Sequence, residues 1–291
     1  MIKNKALLIF LAALPNIVLA DDAGQACQKA LNTGDFARAA EAGKQAKDYD
    51  GVMCRGKAQL ASNDFIRAVT SFAEAEKATK DDFQQMLAVT FQARALQGAE
   101  KADEALASYD RSLQIAQQIK QQQGIMVNLN EGGQLLQSKG DTKGALERFL
   151  KAAPSAANDN ERSECNQLIA SAYSELGEHD KAIEYQLKSV LMEERSGDAD
   201  HYLNARVELA AIATKAKDFA RAERELNETF KLAQGAGSDY WQARTMLYQS
   251  RMERARGNTE QAKSLLQNAL GLSNKIGAQA LGNQIALELK Q

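Results

Sequence analysis

Few residues in this chain are suited to chemistry. His179 and His201, with Cys27, Cys54 and Cys165, are the whole stock of imidazoles and thiols. A structural zinc site wants four such ligands at short spacing, and no Cys-x-x-Cys or His-Glu-x-x-His occurs. No Gly-rich phosphate loop links a strand to a helix. His179 is expected in a turn and His201 at the start of a helix, both solvated, and Glu193-Glu194 with Asp198 and Asp200 read as a solvated charge run. No activated nucleophile, base or metal set stands out, so neither an enzyme nor a cofactor is expected. What remains is recognition. Arg244, Arg251 and Arg254 fall at spacings of seven and three, which holds them near one face of a helix. Such a face suits a carboxylate, a chain terminus or an acidic segment. It reads equally as a solvated face with Glu253 and Glu260 as local ion-pair partners.

The elements that position these residues follow from composition. The chain has 291 residues, 2 of them proline, with 44% hydrophobic and 25% charged residues. Abundant Ala, Gln, Lys and Glu with almost no proline favour helix throughout. A net charge of −2 excludes a basic nucleic-acid platform.

The first twenty residues read as targeting. Lys3 and Lys5 precede a short apolar core, Ala6 to Leu14; Pro15 breaks it, and Val18-Leu19-Ala20 ends in the small-residue pattern of a signal-peptidase site. The core is too short to span a bilayer as a mature helix. An uncleaved N-terminal anchor is the other reading of the segment. Once the leader is cleaved, no later apolar run approaches spanning length, so no membrane span is expected. The leader type points to the periplasm of a bacterium, with secretion as the alternative.

The rest of the chain repeats. Gly34-Asp35-Phe36-Ala37-Arg38-Ala39, Asn63-Asp64-Phe65-Ile66-Arg67-Ala68 and Lys217-Asp218-Phe219-Ala220-Arg221-Ala222 are close copies. The segments 140–145, 177–182 and 257–262 fit the same template, and 100–105 is a weaker member. The final alanines fall at Ala39, Ala68, Ala105, Ala145, Ala182, Ala222 and Ala262, so seven units of mostly about forty residues follow one another. Glycine at the start of the template suits the turn between two helices, and the Asp, Glu or Asn behind it can cap the second helix. Twelve residues before each alanine the residue is small (Cys27, Gly56, Ala93, Gly133, Ala170, Ala210, Ser250), and seven after it small again. Between them come fillers: Phe72, Tyr109, Phe149, Leu226 and Leu266. Unit one has Gly43 at the filler position. No unit can bury its own apolar face, so stability must come from stacking.

This pattern of small residue, Gly-Asp-Phe-type turn, alanine and small residue resembles the tetratricopeptide repeat (TPR), over about residues 23–275. The aromatic residues expected on the first helix are mostly absent, Tyr173 being the best match, and the period resembles the long-helix branch of the family. The resemblance implies an all-α, right-handed α-solenoid: a leader at 1–20, a superhelical array at 21–277, and a C-terminal capping helix at 278–291 with Leu281, Ile285 and Leu289 on its buried face. That last helix also reads as a free partner-binding segment.

In such arrays the first helices line a concave groove that holds peptides or partner helices. Placed on that pattern, Lys57, Arg94, Asn130, Gln134, Gln137, Gln167, Asn204, Arg244, Arg251 and Arg254 face the groove. Its amide-rich middle suits the main chain of an extended peptide. The Lys/Asn clamp of chaperone-binding members is not reproduced, because Glu131 and Glu208 stand where donors would be wanted. Cys27 and Cys54 fall on the stacked first helices of units one and two; they either pair in an oxidising compartment or serve as small buried residues, with Cys165 left over. The function implied is a non-catalytic exported scaffold for a protein or peptide partner. The alternative is a periplasmic sensor or carrier for a small ligand or signalling peptide. Self-association through the convex face or an end is compatible with both.

Overall fold

The computed structural model describes residues 22–290. The expected leader lies outside the described residues. Among the described residues all regular structure is helical. The helices are α1 Asp22–Asn32, α2 Phe36–Ala42, α3 Tyr49–Ala61, α4 Phe65–Lys77, α5 Asp82–Gly98, α6 Ala102–Gln118, α7 Gln122–Ser138, α8 Thr142–Ala152, α9 Asp159–Glu175, α10 His179–Ser196, α11 Ala199–Lys215, α12 Phe219–Gly235, α13 Asp239–Arg256, α14 Thr259–Lys275 and α15 Gln279–Glu288. Short 3-10 turns follow α2 and α8. The seven marker alanines sit one each on the even-numbered helices from α2 to α14, and each is at most 1% exposed. The fold is an all-α repeat solenoid of consecutive antiparallel pairs. The chain divides into two compact units between Ile115 and Ala116, inside α6.

The turns within pairs need a residue in the left-handed region. Gly34, Gly140, Gly177 and Gly257 supply it at no steric cost. The same position in the other pairs holds Asn63, Glu100 and Lys217, at φ of 60°, 61° and 59°. The residue behind the turn caps its helix in only some pairs. Asp35, Asp141 and Asp218 accept the backbone N–H three residues on. Asp64 and Glu178 instead turn to Arg67 and Lys181, and Asn258 donates to Glu253, so these caps are spent on side chains.

In the first unit, Phe72 is fully buried against α3, where a Cβ on Gly56 would lie 2.6 Å from its ring. The small position is therefore a contact requirement. At the N-terminal end a disulfide joins Cys27 of α1 to Cys54 of α3, with Cα atoms 6.2 Å apart. Gly43, at the start of the 3-10 turn after α2, occupies the filler position; a Cβ there would be 3.3 Å from Cys27 Sγ and 2.8 Å from Arg55 Cβ. The sulfur thus lies close to where a side chain at the filler position would begin.

In the second unit, consecutive odd-numbered helices α7, α9, α11 and α13 touch side by side, and each also packs on the even-numbered helix that follows it. Phe149, Leu226 and Leu266 are buried fillers of α8, α12 and α14. A Cβ on Gly133 would meet the Phe149 ring at 2.5 Å. Leu281 and Ile285 of α15 close the end, packed with Leu247, Leu266 and Ala269. Burying each such side chain is worth about 1.5–3 kcal/mol.

Candidate functional site

The candidate surface is the face of the odd-numbered helices not covered by their even-numbered partners. In the first unit it carries Lys57 and Arg94, one period apart. Both stack on the ring of Phe91, at 5.1 and 4.9 Å from its centroid, and Phe91 lies against Phe72 at 5.4 Å. Burial, and then the neighbouring Arg94 charge, hold the Lys57 amine below its ordinary pKa, against the pull of Asp50. The two cations are thus set by an aromatic platform.

In the second unit the face is a ladder of polar contacts, each spanning about one period. Gln137 Nε2 donates to Ser171 Oγ at 3.2 Å. Arg244 donates to Asn204 Oδ1 at 2.6 Å, and Tyr248 Oη donates to Glu208 at 3.0 Å. Arg244 also lies 3.8 Å from the Glu208 carboxylate and 5.0 Å above the Trp241 ring. Burial, and secondarily Glu208, push the Tyr248 hydroxyl above its ordinary pKa, so it remains a donor. Gln167 donates to Ser163 within its own helix. Gln134 is half-buried and makes no side-chain hydrogen bond to a described residue.

Asn130 does not stand on this face. It is 1% exposed, and its Nδ2 meets Cys165 Sγ at 3.5 Å while its Oδ1 has no partner. Its column is mostly buried: the residue three before the small position is also Met53, Thr90, Val207 and Leu247 in other pairs, all buried, and only Gln167 of α9 among these is half-buried. Burial raises the pKa of Cys165, which keeps it an inert thiol.

The arginines of α13 are not held free for an anion. Arg251 Nε donates to Glu288 Oε1 at 2.9 Å and stacks on Tyr248 at 4.6 Å. Arg254 donates to the Glu288 carbonyl at 3.0 Å. The partners come from α15, far along the chain, and not from the local acids: Glu253 is buried and bound to Arg256 and Asn258. With Arg244 paired to Asn204 and Glu208, each of the three arginines has a partner within the fold. His179 differs from expectation, since it opens α10 with its Nδ1 buried. His201 is exposed in the first turn of α11, as expected, 3.8 Å from both Glu193 and Asp198.

A cleft opens on this face in the second unit. It holds about 330 Å³ between α9 and α11 and is lined by Gln167, Ser171, Ser174, Asn204, Glu208 and Lys215 over a floor of Leu168, Ala211 and Ile212. Gln186 of α10 closes its back wall. Gln186 stands in the filler column, four residues after Ala182, where Phe72, Tyr109, Phe149, Leu226 and Leu266 stand in other pairs. It is 1% exposed and donates to the Ala205 carbonyl at 2.9 Å. That polar member of a column that, Gly43 apart, is otherwise bulky and apolar was visible in the sequence and points to the cleft.

No model of a known protein family matches the chain, and no curated protein matches it. Solved structures do. The apo form of RapI superposes with a TM-score of 0.62 at 11% identity, over 88% of this chain and 98% of its own. TPR-like repeats of nearly identical sequence from Podosopora anserina give 0.60 at 16% identity, over 67% and 97%. A Rap protein complexed with competence and sporulation factor gives 0.55 at 14% identity, over 83% and 74%. These likenesses show that the fold is that of TPR-like repeat solenoids.

Proposed function

We propose that this TPR-like chain is a non-catalytic, exported scaffold that holds a protein or peptide partner on the odd-helix face of its second unit. The observation that carries the reading is the cleft between α9 and α11, where hydrogen-bonding groups of that face line a depression of ligand size. A protein-binding role also accords with the Rap protein that is similar in fold and is complexed with competence and sporulation factor. Export, to the periplasm in a bacterial host, rests on Lys3, Lys5, the apolar segment 6–14 and the small-residue end at Ala20. Among the described residues no helix is long and apolar enough to cross a membrane. The cleft also favours a second reading, a sensor or carrier for a low-mass ligand.

The test is capture of partners from envelope extract by the tagged chain and by Ser171→Arg, which blocks the face at an exposed position. A partner retained by the native chain and lost by the variant is expected. The same partners on both would overturn the face, and none on either, with a thermal shift from a low-mass ligand, would favour the second reading. Osmotic-shock fractionation, with mass spectrometry of the N-terminus, tests export: a released chain beginning at residue 21 is expected.

A further inference from the structure

The cleft between α9 and α11 departs from the repeat in two ways. The filler that closes the space behind it is Gln186 in place of an aromatic or aliphatic side chain. Ser174, 6% exposed on its wall, has a hydroxyl with no hydrogen-bond partner. A buried unsatisfied hydroxyl is unfavourable until something supplies a partner, so a native one calls for an explanation. Here the hydroxyl borders a space that can admit one.

Charge then narrows the class of ligand. Glu208 is engaged by Tyr248 and Arg244, and Arg244 by Asn204. Arg251 and Arg254 are taken by Glu288. Lys215 is exposed at the rim, in the last turn of α11, where its charge complements the helix end. Lys215 keeps its charge at the rim; the other groups that face the cleft with spare capacity are neutral and two-sided. Ser174 can donate and accept, Ser171 can donate while accepting from Gln137, Asn204 has its NH₂, and Gln167 has its carbonyl. Alternating donors and acceptors are what a peptide main chain offers. The volume, near the lower end of the range for ligand pockets, about 300–1,000 Å³, leaves room only for small side chains.

We infer that this cleft binds an uncharged, extended stretch of a partner polypeptide through its main chain, with small side chains such as Gly, Ala or Ser, and with Ser174 as a buried anchor. This rests on the reading of the odd-helix face as the partner-binding surface and narrows it to one segment class. Because no charge pair is made, binding is nearly independent of ionic strength.

The experiment is selection from a displayed library of random linear peptides, tethered at both ends, against the full chain, at low and high salt. Three variants accompany it. Gln186→Leu installs the filler used at Leu226 and Leu266, so the fold is kept while the back wall changes. Ala211→Leu fills the floor. Ser174→Ala removes the anchor without adding bulk. Thermal melts confirm folding. The expected result is enrichment of uncharged small-residue sequences, with affinity changing less than about twofold with salt. Ala211→Leu and Gln186→Leu should abolish it, and Ser174→Ala should weaken it about fivefold. Acidic or strongly salt-dependent peptides, or enrichment unchanged in Ala211→Leu, would overturn the inference and leave the face as the partner surface. No enrichment by the native chain would overturn both.

Discussion

Gln186 donates to the carbonyl of Ala205 at 2.9 Å from the very column in which Phe149, one pair earlier, packs on Gly133. A repeat that elsewhere fills this position with apolar bulk in every pair after the first is polar at one place, and a cleft lies in front of it. Local departures from a fold's own rule are where function or strain is to be sought.

Gly133 tests the packing rule itself. Its Cβ would meet the Phe149 ring at 2.5 Å, so Gly133→Ala should destabilise the second unit by about 1–3 kcal/mol. Gly271, inside α14 with nothing within 4 Å of an added Cβ, is the control. Gly271→Ala should stabilise by about 0.5–1 kcal/mol through helix propensity. Urea midpoints separate the two; equal signs would show that the close approach is not tight.

Lys217 holds a left-handed backbone with a side chain that disfavours it, at φ of 59°. Lys217→Gly should stabilise by roughly 0.5–1 kcal/mol, the relief of the left-handed conformation being partly offset by a freer unfolded chain. Gly177→Ala, at the same turn position in another pair, should move stability the opposite way.

The terminal helix should be integral to the second unit. A chain ending at residue 277 uncovers Leu247 and Leu266 and leaves Arg251 without Glu288. Glu288→Ala alone should cost about 1.5–3 kcal/mol, since it leaves a half-buried guanidinium unpaired. Hydrogen exchange at α13 and α14 is the readout, and unchanged protection in the truncated chain would make α15 an independent arm.

Acid should loosen the α11–α12 pair. The Arg206 guanidinium, by hydrogen bond and charge, holds the Glu228 carboxyl below its ordinary pKa; the Arg221 backbone N–H does the same for Asp218. A carboxyl whose pKa is depressed by folding stabilises the fold fully above its unfolded value, about 4. That contribution is lost as pH falls through the depressed folded value. Urea unfolding between pH 6 and about 2 should show the decline, and Glu228→Gln should flatten part of it.

Reduction should act on the first unit. The Cys27–Cys54 bond closes a loop worth about 3–4 kcal/mol in the chain-entropy model. Reductant, or a Cys27→Ser/Cys54→Ser pair, should release α1 and α2 in hydrogen exchange while protection in α13 is unchanged.

How legible was all this in the sequence? The marker alanines and small positions are set by contacts that recur once per unit, and recurrence is what a sequence displays. The polar face is set by partners a full period apart, and there identity alone misleads. Arg251 looks free until Glu288 is placed beneath it, and Asn130 looks groove-facing until its column is compared with Met53, Val207 and Leu247. Gln186 was legible in the filler column. Ser174 was not, because a helical serine ordinarily satisfies its hydroxyl on its own backbone and nothing in its neighbours says that this one does not.

The disulfide has one more consequence, in the order of events. Cys27 and Cys54 are the first two thiols from the N-terminus, and Cys165 follows only in α9. If the chain is exported as proposed, threaded out N-terminus first, it presents one possible cross-link before a competing thiol emerges. When the third arrives, folding buries it against Asn130. On that reading of export, correct pairing becomes a matter of chronology.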